Sequence, residues 1–282
     1  MECNPEDISK EMLSMASSFN INRLSIGIQS FNQDERQFLG RQHNNENLNQ
    51  CLEFLIHSPI KNINIDLIYG LPISTLSHLT KTLNTLKNYP TTHVSTYALS
   101  IENGTQFEKQ KISLLDNEKE AEHYQYIKET LDQENFEHYE IAAFAKAGHQ
   151  CIHNLSYWNF EDYIGLGPSA HSFLFPYRFK NPSSLSKYIK NPTPQWKDKK
   201  ISPCNKKNLS LEFFCSTLRL KKGFNMDDYK QRFNETLSPK IRDILNSLQS
   251  QKLIKQCKKD ISCTKKGHLL LNDVLLYLTE NT

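Results

Sequence analysis

Three short β-branched runs, spaced about thirty to forty residues apart and separated by amphipathic stretches, constrain this chain more than any other feature. In NRLSIGIQS, Leu24, Ile26 and Ile28 alternate with Ser25, Gly27 and Gln29. In NINIDLIYGLP, Ile63, Ile65 and Leu67 alternate with Asn64, Asp66 and Ile68. In HVSTYALSIE, Val94, Thr96 and Ala98 oppose Ser95, Tyr97 and Leu99. A period of two predicts strands, and the turn signals Gly70-Leu71-Pro72 and Asn103-Gly104 close two of them. Between them, ENLNQCLEFLIHS places Leu48, Cys51, Leu52 and Leu55 at helical spacing. Strand and helix in alternation predict parallel βα units and an α/β fold.

The polar residues gather late in each strand or just beyond it: Gln29, Arg41, Asp66 and Glu102. Taken singly, such residues can simply hydrogen-bond loop backbone. Repeated on three strands, they favour a shared pocket at the C-terminal ends, where a (β/α) barrel carries its site.

Several classes of function lose support. A formal net charge of +3 gives no electrostatic reason to expect nucleic acid. No run of 18 apolar residues spans a bilayer, and the opening MECNPEDISKEMLSM lacks the layout of a signal peptide. Seven scattered cysteines, none in CxxC spacing, argue against a disulfide framework, a zinc ribbon or a thioredoxin-type site. The expected compartment is the cytoplasm.

One segment is unusually rich in ligand types. GHQCIHNLSYW sets His149, Cys151 and His153 at alternate positions, so an extended backbone would turn all three to one face. Three readings are open. As a zinc site, three alternate ligands on one strand do not close a tetrahedron. As structure, the polar residues cap turns while Tyr157 and Trp158 fill core. As a heme site, a reading raised by the family resemblance described below, the segment sets a nitrogen or sulfur ligand beside aromatic residues, with His153 ahead of Cys151 and His149, and Asn154 able to orient its ring. Downstream, Gly165, Gly167 and Pro168 form a turn-rich stretch that lacks the third glycine of a dinucleotide fingerprint. The Lys- and Pro-rich YIKNPTPQWKDKKISPCNKKN reads as a solvated linker. Beyond it, LSLEFFCSTLRLKKG is expected to be a helix ending at Gly223, followed by a second helix, a small strand-and-turn wing and a closing helix.

Six ordered motifs, NRLSIGIQSFNQDERQFLGRQH, NINIDLIYGLP, HVSTYALSIENGTQF, YEIAAFAKAGHQCIHNLSYW, YIGLGPSAHS and TKKGHLLLNDV, resemble a radical-SAM family. That family comprises HemW-type heme chaperones and oxygen-independent coproporphyrinogen III oxidases, and HNLSYW and AHS resemble the HemW branch. The resemblance covers essentially the whole chain. It implies an incomplete (β/α)6 partial barrel over 1–178, a linker over 179–208, and a small, mainly helical, winged-helix-like C-terminal domain over 209–282. It also implies S-adenosylmethionine (SAM) and a [4Fe-4S] cluster as cofactors. The matching SAM-pocket positions are Glu2, Gln29, Arg41, Asp66 and Ala98, with His171 bordering the pocket. A sulfonium carrying an amino-acid tail and a ribose needs these residue types.

The family's CxxxCxxC loop does not occur in this sequence, and MECNP resembles the end of the family's third strand. The expectation is an N-terminally truncated member with no metal-ligand set of its own, since Cys3, Cys51 and Cys151 share no short loop. The function implied is heme binding and transfer to a heme-requiring membrane enzyme, with a homodimer as a further implied assembly and nucleic acid not among the partners. The alternatives are oxidative decarboxylation of coproporphyrinogen III and a fragment without function.

Overall fold

The computed structural model describes residues 1–190 and 202–281, which fall into two compact units, Met1–Gln150 and Cys151–Thr282. In the first unit β1 (Glu2–Cys3), α1 (Lys10–Ser18), β2 (Arg23–Gln29), α2 (Gln33–Phe38), α3 (Asn45–Ile56), β3 (Asn62–Tyr69), α4 (Leu76–Leu86) and β4 (His93–Ala98) follow in order. Then come α5 (Gln106–Lys109), α6 (Asn117–Gln133) and the hairpin β5 (Glu137–Glu140) and β6 (Ala143–Ala145). The sheet order is β1-β2-β3-β4-β6-β5, with β1 to β4 parallel and the hairpin antiparallel. The three expected strands are β2, β3 and β4, and the α/β class with its parallel sheet holds.

Alternation builds the layers. Leu24, Ile26, Ile28, Ile63, Ile65, Leu67 and Val94 turn to the helices and pack against Leu48, Cys51 and Leu55 of α3, Leu79 and Leu83 of α4, and Ile127 of α6. Each such side chain removed from water contributes about 1.5–3 kcal/mol. The alternate residues of the same strands are thereby left on the other face, and several are polar. Helix starts are fixed by side-chain caps: Ser9 accepts from the Met12 amide, Asn44 from Asn47 and Thr75 from His78.

The second unit holds α7 (Ile152–Trp158), the hairpin β7 (His171–Leu174) and β8 (Tyr177–Lys180), α8 (Leu185–Lys190), α9 (Lys206–Thr217), β9 (Phe224–Asn225), α10 (Met226–Phe233) and α11 (Pro239–Ser250). The hairpin β10 (Ile254–Cys257) and β11 (Asp260–Cys263), α12 (Lys265–Leu269) and α13 (Leu271–Asn281) complete it. An antiparallel sheet in the order β10-β11-β9 forms the expected wing beside helices. The core is aromatic, with Phe213 edge-on to Phe224, Tyr229 and Phe233 at 5.4–5.8 Å.

Three sequence expectations differ from these elements. Residues 151–178 belong with the second unit, whose boundary lies at 150 and not at 178. The expected linker 179–208 contains the end of β8, all of α8 and the start of α9, because Tyr188 and Leu209 anchor those turns; its stretch 191–201 lies outside the described residues. Gly223 does not cap α9, which stops at Thr217. Its φ of +67° instead lets the chain pass β11, where a Cβ would stand 1.9 Å from the Ile261 carbonyl oxygen.

Candidate active-site face and heme segment

Register assembles the polar face of the first unit. Glu2 pairs with Ser25, Ser25 with Asn64, and Asn64 with His93, a row across four parallel strands. One step along, Asp66 lies beside Ser95. The Asp66 carboxylate accepts from Ser25 Oγ at 3.1 Å and from Asn64 Nδ2 at 2.8 Å. Asn64 Nδ2 also donates to Ser25 Oγ at 2.6 Å, while its Oδ1 accepts from Ser95 Oγ at 3.1 Å and lies 2.6 Å from His93 Nδ1. His93 Nε2 is 2.8 Å from the Tyr139 hydroxyl. Burial raises the Asp66 pKa above the ordinary carboxyl value, the donors from Asn64, Ser25 and Ser95 pull it back, and the Glu2 charge raises it further. Burial and the Asp66 charge likewise raise the Tyr97 hydroxyl pKa. The face is therefore acidic and rich in acceptors, suited to a cation or to hydroxyl donors.

Gln29, of the same parity as Ser25 and Gly27, sits at a distortion of β2. Between Ile26 and Gln29 the β2–β3 register shifts, so β2 carries an extra residue, and Gln29 itself has φ +69°. Such a bulge re-aims a side chain, and a non-glycine residue in the left-handed region is strained. The amide of Gln29 folds back over Gly27, where a Cβ would meet its Nε2 at 3.0 Å and Asn4 Oδ1 at 3.8 Å. Arg41 joins from the following loop, its Nη1 donating to Asn4 Oδ1 at 3.4 Å. Gly27, Gln29, Asn4 and Arg41 thus stand together at the strand ends. Ala98 closes β4 beside Tyr69, on the face turned away from Asp66.

The loop bearing Arg41 is held by the fully buried Arg36 of α2. Its guanidinium donates to the Ser30 carbonyl at 3.1 Å, the His43 carbonyl at 3.3 Å and Asn45 Oδ1 at 2.6 Å. The neighbouring Glu35, also buried, accepts from Ser30 and Ser74 hydroxyls at 2.5 Å each, tying the loop after β2 to the loop after β3.

Comparison with known proteins interprets this arrangement. Residues 205–270 match the family model described as the HemN C-terminal domain. The chain is 30% identical over 282 residues to the heme chaperone HemW of Bacillus subtilis, covering 97% of this chain and 74% of that protein. The chain belongs to the HemW family. HemW of Lactococcus lactis is likewise 30% identical, over 97% of this chain and 73% of its own. Among solved structures, coproporphyrinogen III oxidase (HemN) from Escherichia coli, described as a radical SAM enzyme, superposes with a TM-score of 0.78 at 20% identity, covering 98% of this chain and 68% of that one. That likeness places the fold with HemN.

In this member of the HemW family the ligand-rich segment is not a strand. His149 lies in the turn after β6, its amide bonded to the Lys146 carbonyl, whereas Cys151 is the N-cap of α7 and His153 lies within that helix. The alternate-face reading is corrected accordingly. Helical spacing instead sets Tyr157 one turn from His153, with its hydroxyl 2.9 Å from His153 Nε2 and the rings 4.9 Å apart. Tyr157, and not Asn154, orients the ring. Tyr163 stacks edge-on to Tyr157 at 4.6 Å, and its hydroxyl accepts from Arg178 at 3.3 Å. His153 is exposed, and the adjacent Ile152 is 83% exposed. His171 opens β7 on the surface of the second unit.

The cluster associated with radical-SAM proteins does not fit these residues. No group of three Cys, His, Asp or Glu among the described residues is placed to hold a metal. Burial pushes Cys3 up to about 11 and Cys51 up to about 12, so both stay neutral thiols, and Cys3 donates to the Ser25 carbonyl oxygen. Sequence reasoning missed Ser25 and Asn64 as partners of Asp66, and His93 and Tyr139 behind Asn64. The signal for Asn64 was there, two positions before Asp66 on the same strand face.

Proposed function

We propose that this chain acts as a heme chaperone that takes heme as cargo on its second unit and binds SAM on the polar sheet face of its first. Membership of the HemW family is the observation that carries the reading. Support for heme comes from α7, where an exposed imidazole is oriented by Tyr157 next to the exposed Ile152. His153 is the ligand of choice, with Cys151 at the N-cap of the same helix behind it. An iron ligand needs a nitrogen held in one tautomer by a partner on its other nitrogen, beside apolar surface for the macrocycle. The cargo passes to a heme-requiring membrane enzyme.

Support for SAM comes from residue chemistry. Asp66 and Glu2 suit the ammonium and ribose hydroxyls, Arg41 the carboxylate, and Gln29 an amide contact at the strand ends. SAM, when bound, supplies an adenosyl group and a sulfonium charge that the acidic face attracts. Ala98, which ends β4 on the opposite face, does not belong to this set.

The test is heme titration followed by the Soret band, on the parent chain and on His153→Ala. A stoichiometric complex that His153→Ala weakens supports the reading. No heme uptake by the folded parent would overturn it.

A further inference from the structure

The hydrogen bonds around Asp66 run in one direction, and the chemistry of the groups fixes that direction. Asn64 Nδ2 spends its two protons on Ser25 Oγ and Asp66 Oδ1, at 2.6 and 2.8 Å. The atom facing His93 is therefore the amide oxygen, which only accepts. His93 must then carry its proton on Nδ1, 2.6 Å away, leaving Nε2 as an acceptor for the Tyr139 hydroxyl at 2.8 Å. Every proton in the series Tyr139, His93, Asn64 thus points toward the Asp66 carboxylate. Such chains strengthen each link by polarisation, most of all away from water. His93 is fully buried, Asn64 1% and Tyr139 4% exposed. Burial also drives the His93 pKa down to about 3, so the ring is neutral and its tautomer alone sets its role.

We infer that Asn64, His93 and Tyr139 are positioning residues, a one-way hydrogen-bond relay that holds the Asp66 carboxylate ionised and in one orientation for a hydroxyl or ammonium donor of the bound ligand. The inference rests on the reading of Asp66 as a SAM-pocket residue. It extends that reading by three residues on three strands, none of which needs to touch the ligand. The relay works against the groups that oppose ionisation of Asp66: its own burial and the Glu2 carboxylate on β1. From β4, Tyr97 faces it, and Glu140 of β5 adds a charge near that hydroxyl. Loss of the relay removes a group that lowers the Asp66 pKa and so moves the carboxyl toward the protonated form, which offers a donor where an acceptor is needed.

Two measurements on the intact chain test this. Nitrogen NMR of His93 reports the tautomer: the expected result is a protonated Nδ1 and a bare Nε2 near neutral pH, and a protonated Nε2 would overturn the relay. Carbon NMR of the Asp66 carboxyl, assigned with Asp66→Asn, reports its titration. Tyr139→Phe removes only the last hydroxyl and is expected to raise the Asp66 midpoint by about half a unit, Asn64→Leu by about one unit or more. Unmoved midpoints in both variants, with folding retained, would also overturn it. SAM titration by calorimetry separates the two levels. Tyr139→Phe is expected to weaken binding about threefold and Asn64→Leu about tenfold, in step with the midpoint shifts. If Asp66→Asn leaves SAM affinity untouched while the NMR signatures stand, the pocket reading fails and the relay does not.

Discussion

The Tyr157 hydroxyl stands 2.9 Å from His153 Nε2, one helical turn along α7. That contact occupies one nitrogen of an exposed imidazole and leaves Nδ1 as the other. A ring so fixed offers a single nitrogen to an incoming group, and a seven-residue helix is what sets the spacing. Removing the hydroxyl with Tyr157→Phe frees the ring to rotate. The expected result is a Soret band that is shifted or broadened, with heme affinity down about threefold to tenfold. A heme titration on the variant checks it, and an unchanged spectrum would contradict the orienting role.

Among the ligand candidates, His153→Ala is expected to disturb the heme spectrum most, Cys151→Ala less, and His149→Ala least. Cys151 spends its backbone on capping α7, and His149 sits in the turn after β6. Circular dichroism on each variant separates loss of ligand from loss of fold. Equal, unperturbed binding in all three would place the ligand elsewhere.

On the polar sheet face, Asp66→Ala and Gln29→Ala are each expected to weaken SAM binding by about 1.5–3 kcal/mol, or roughly ten- to hundredfold. Asp66 loses a charge-assisted acceptor, whereas Gln29 loses an amide held in place by a backbone bulge. Isothermal calorimetry on the two variants decides the matter. Affinities equal to the parent's would move the ligand off this face.

Stability is expected to fall with acidification through His93. Its folded pKa, pushed down to about 3, lies below the ordinary histidine value, so the unfolded chain binds a proton that the folded chain refuses. The stabilisation is complete above about pH 6.5 and is lost progressively as pH falls toward 3, by a total on the order of a few kcal/mol. His43 and His123, lowered by burial, act in the same sense. Urea unfolding at pH 7 and pH 5 measures the loss, and a His93→Gln chain is expected to lose less over the same interval.

Gly223→Ala tests the wing. An added Cβ meets the Ile261 carbonyl oxygen at 1.9 Å, in a backbone conformation that L-residues rarely adopt. The expected cost is about 2–4 kcal/mol, measured by chemical denaturation. By contrast, Gly40→Ala has open space around the new methyl and carries only the backbone strain of its positive φ.

Much of the first unit was legible because burial on one face enforces a period of two. Leu24, Ile26, Ile28, Ile63, Ile65 and Val94 mark β2, β3 and β4 without ambiguity, and Asp66 falls on the polar side by parity alone. Gln29 is different. Its parity puts it with Ser25 and Gly27, but the bulge that sets it level with Leu67 and its positive φ are announced by no local pattern. His149, Cys151 and His153 were misread for a related reason. Five residues are too few to tell alternation along a strand from i, i+4 spacing on a helix, and the decisive Tyr157 contact appears only once the turn is helical. His93 and Tyr139 meet across 46 residues of chain, a pairing set by the β4–β6–β5 order and invisible to any window of sequence.

Arg36 has a consequence for motion. Its guanidinium grips two main-chain carbonyls and the Asn45 side chain with no carboxylate among those partners, so the segment between α2 and α3 is clamped by an ion and not by grease. Opening that segment alone would strand a positive charge in a dry interior, a far steeper penalty than exposing a few methyl groups. Deuterium uptake at the Arg41 amide, itself bonded to the Arg36 carbonyl, should therefore track unfolding of the whole first unit, although loops of this kind ordinarily exchange by local fraying.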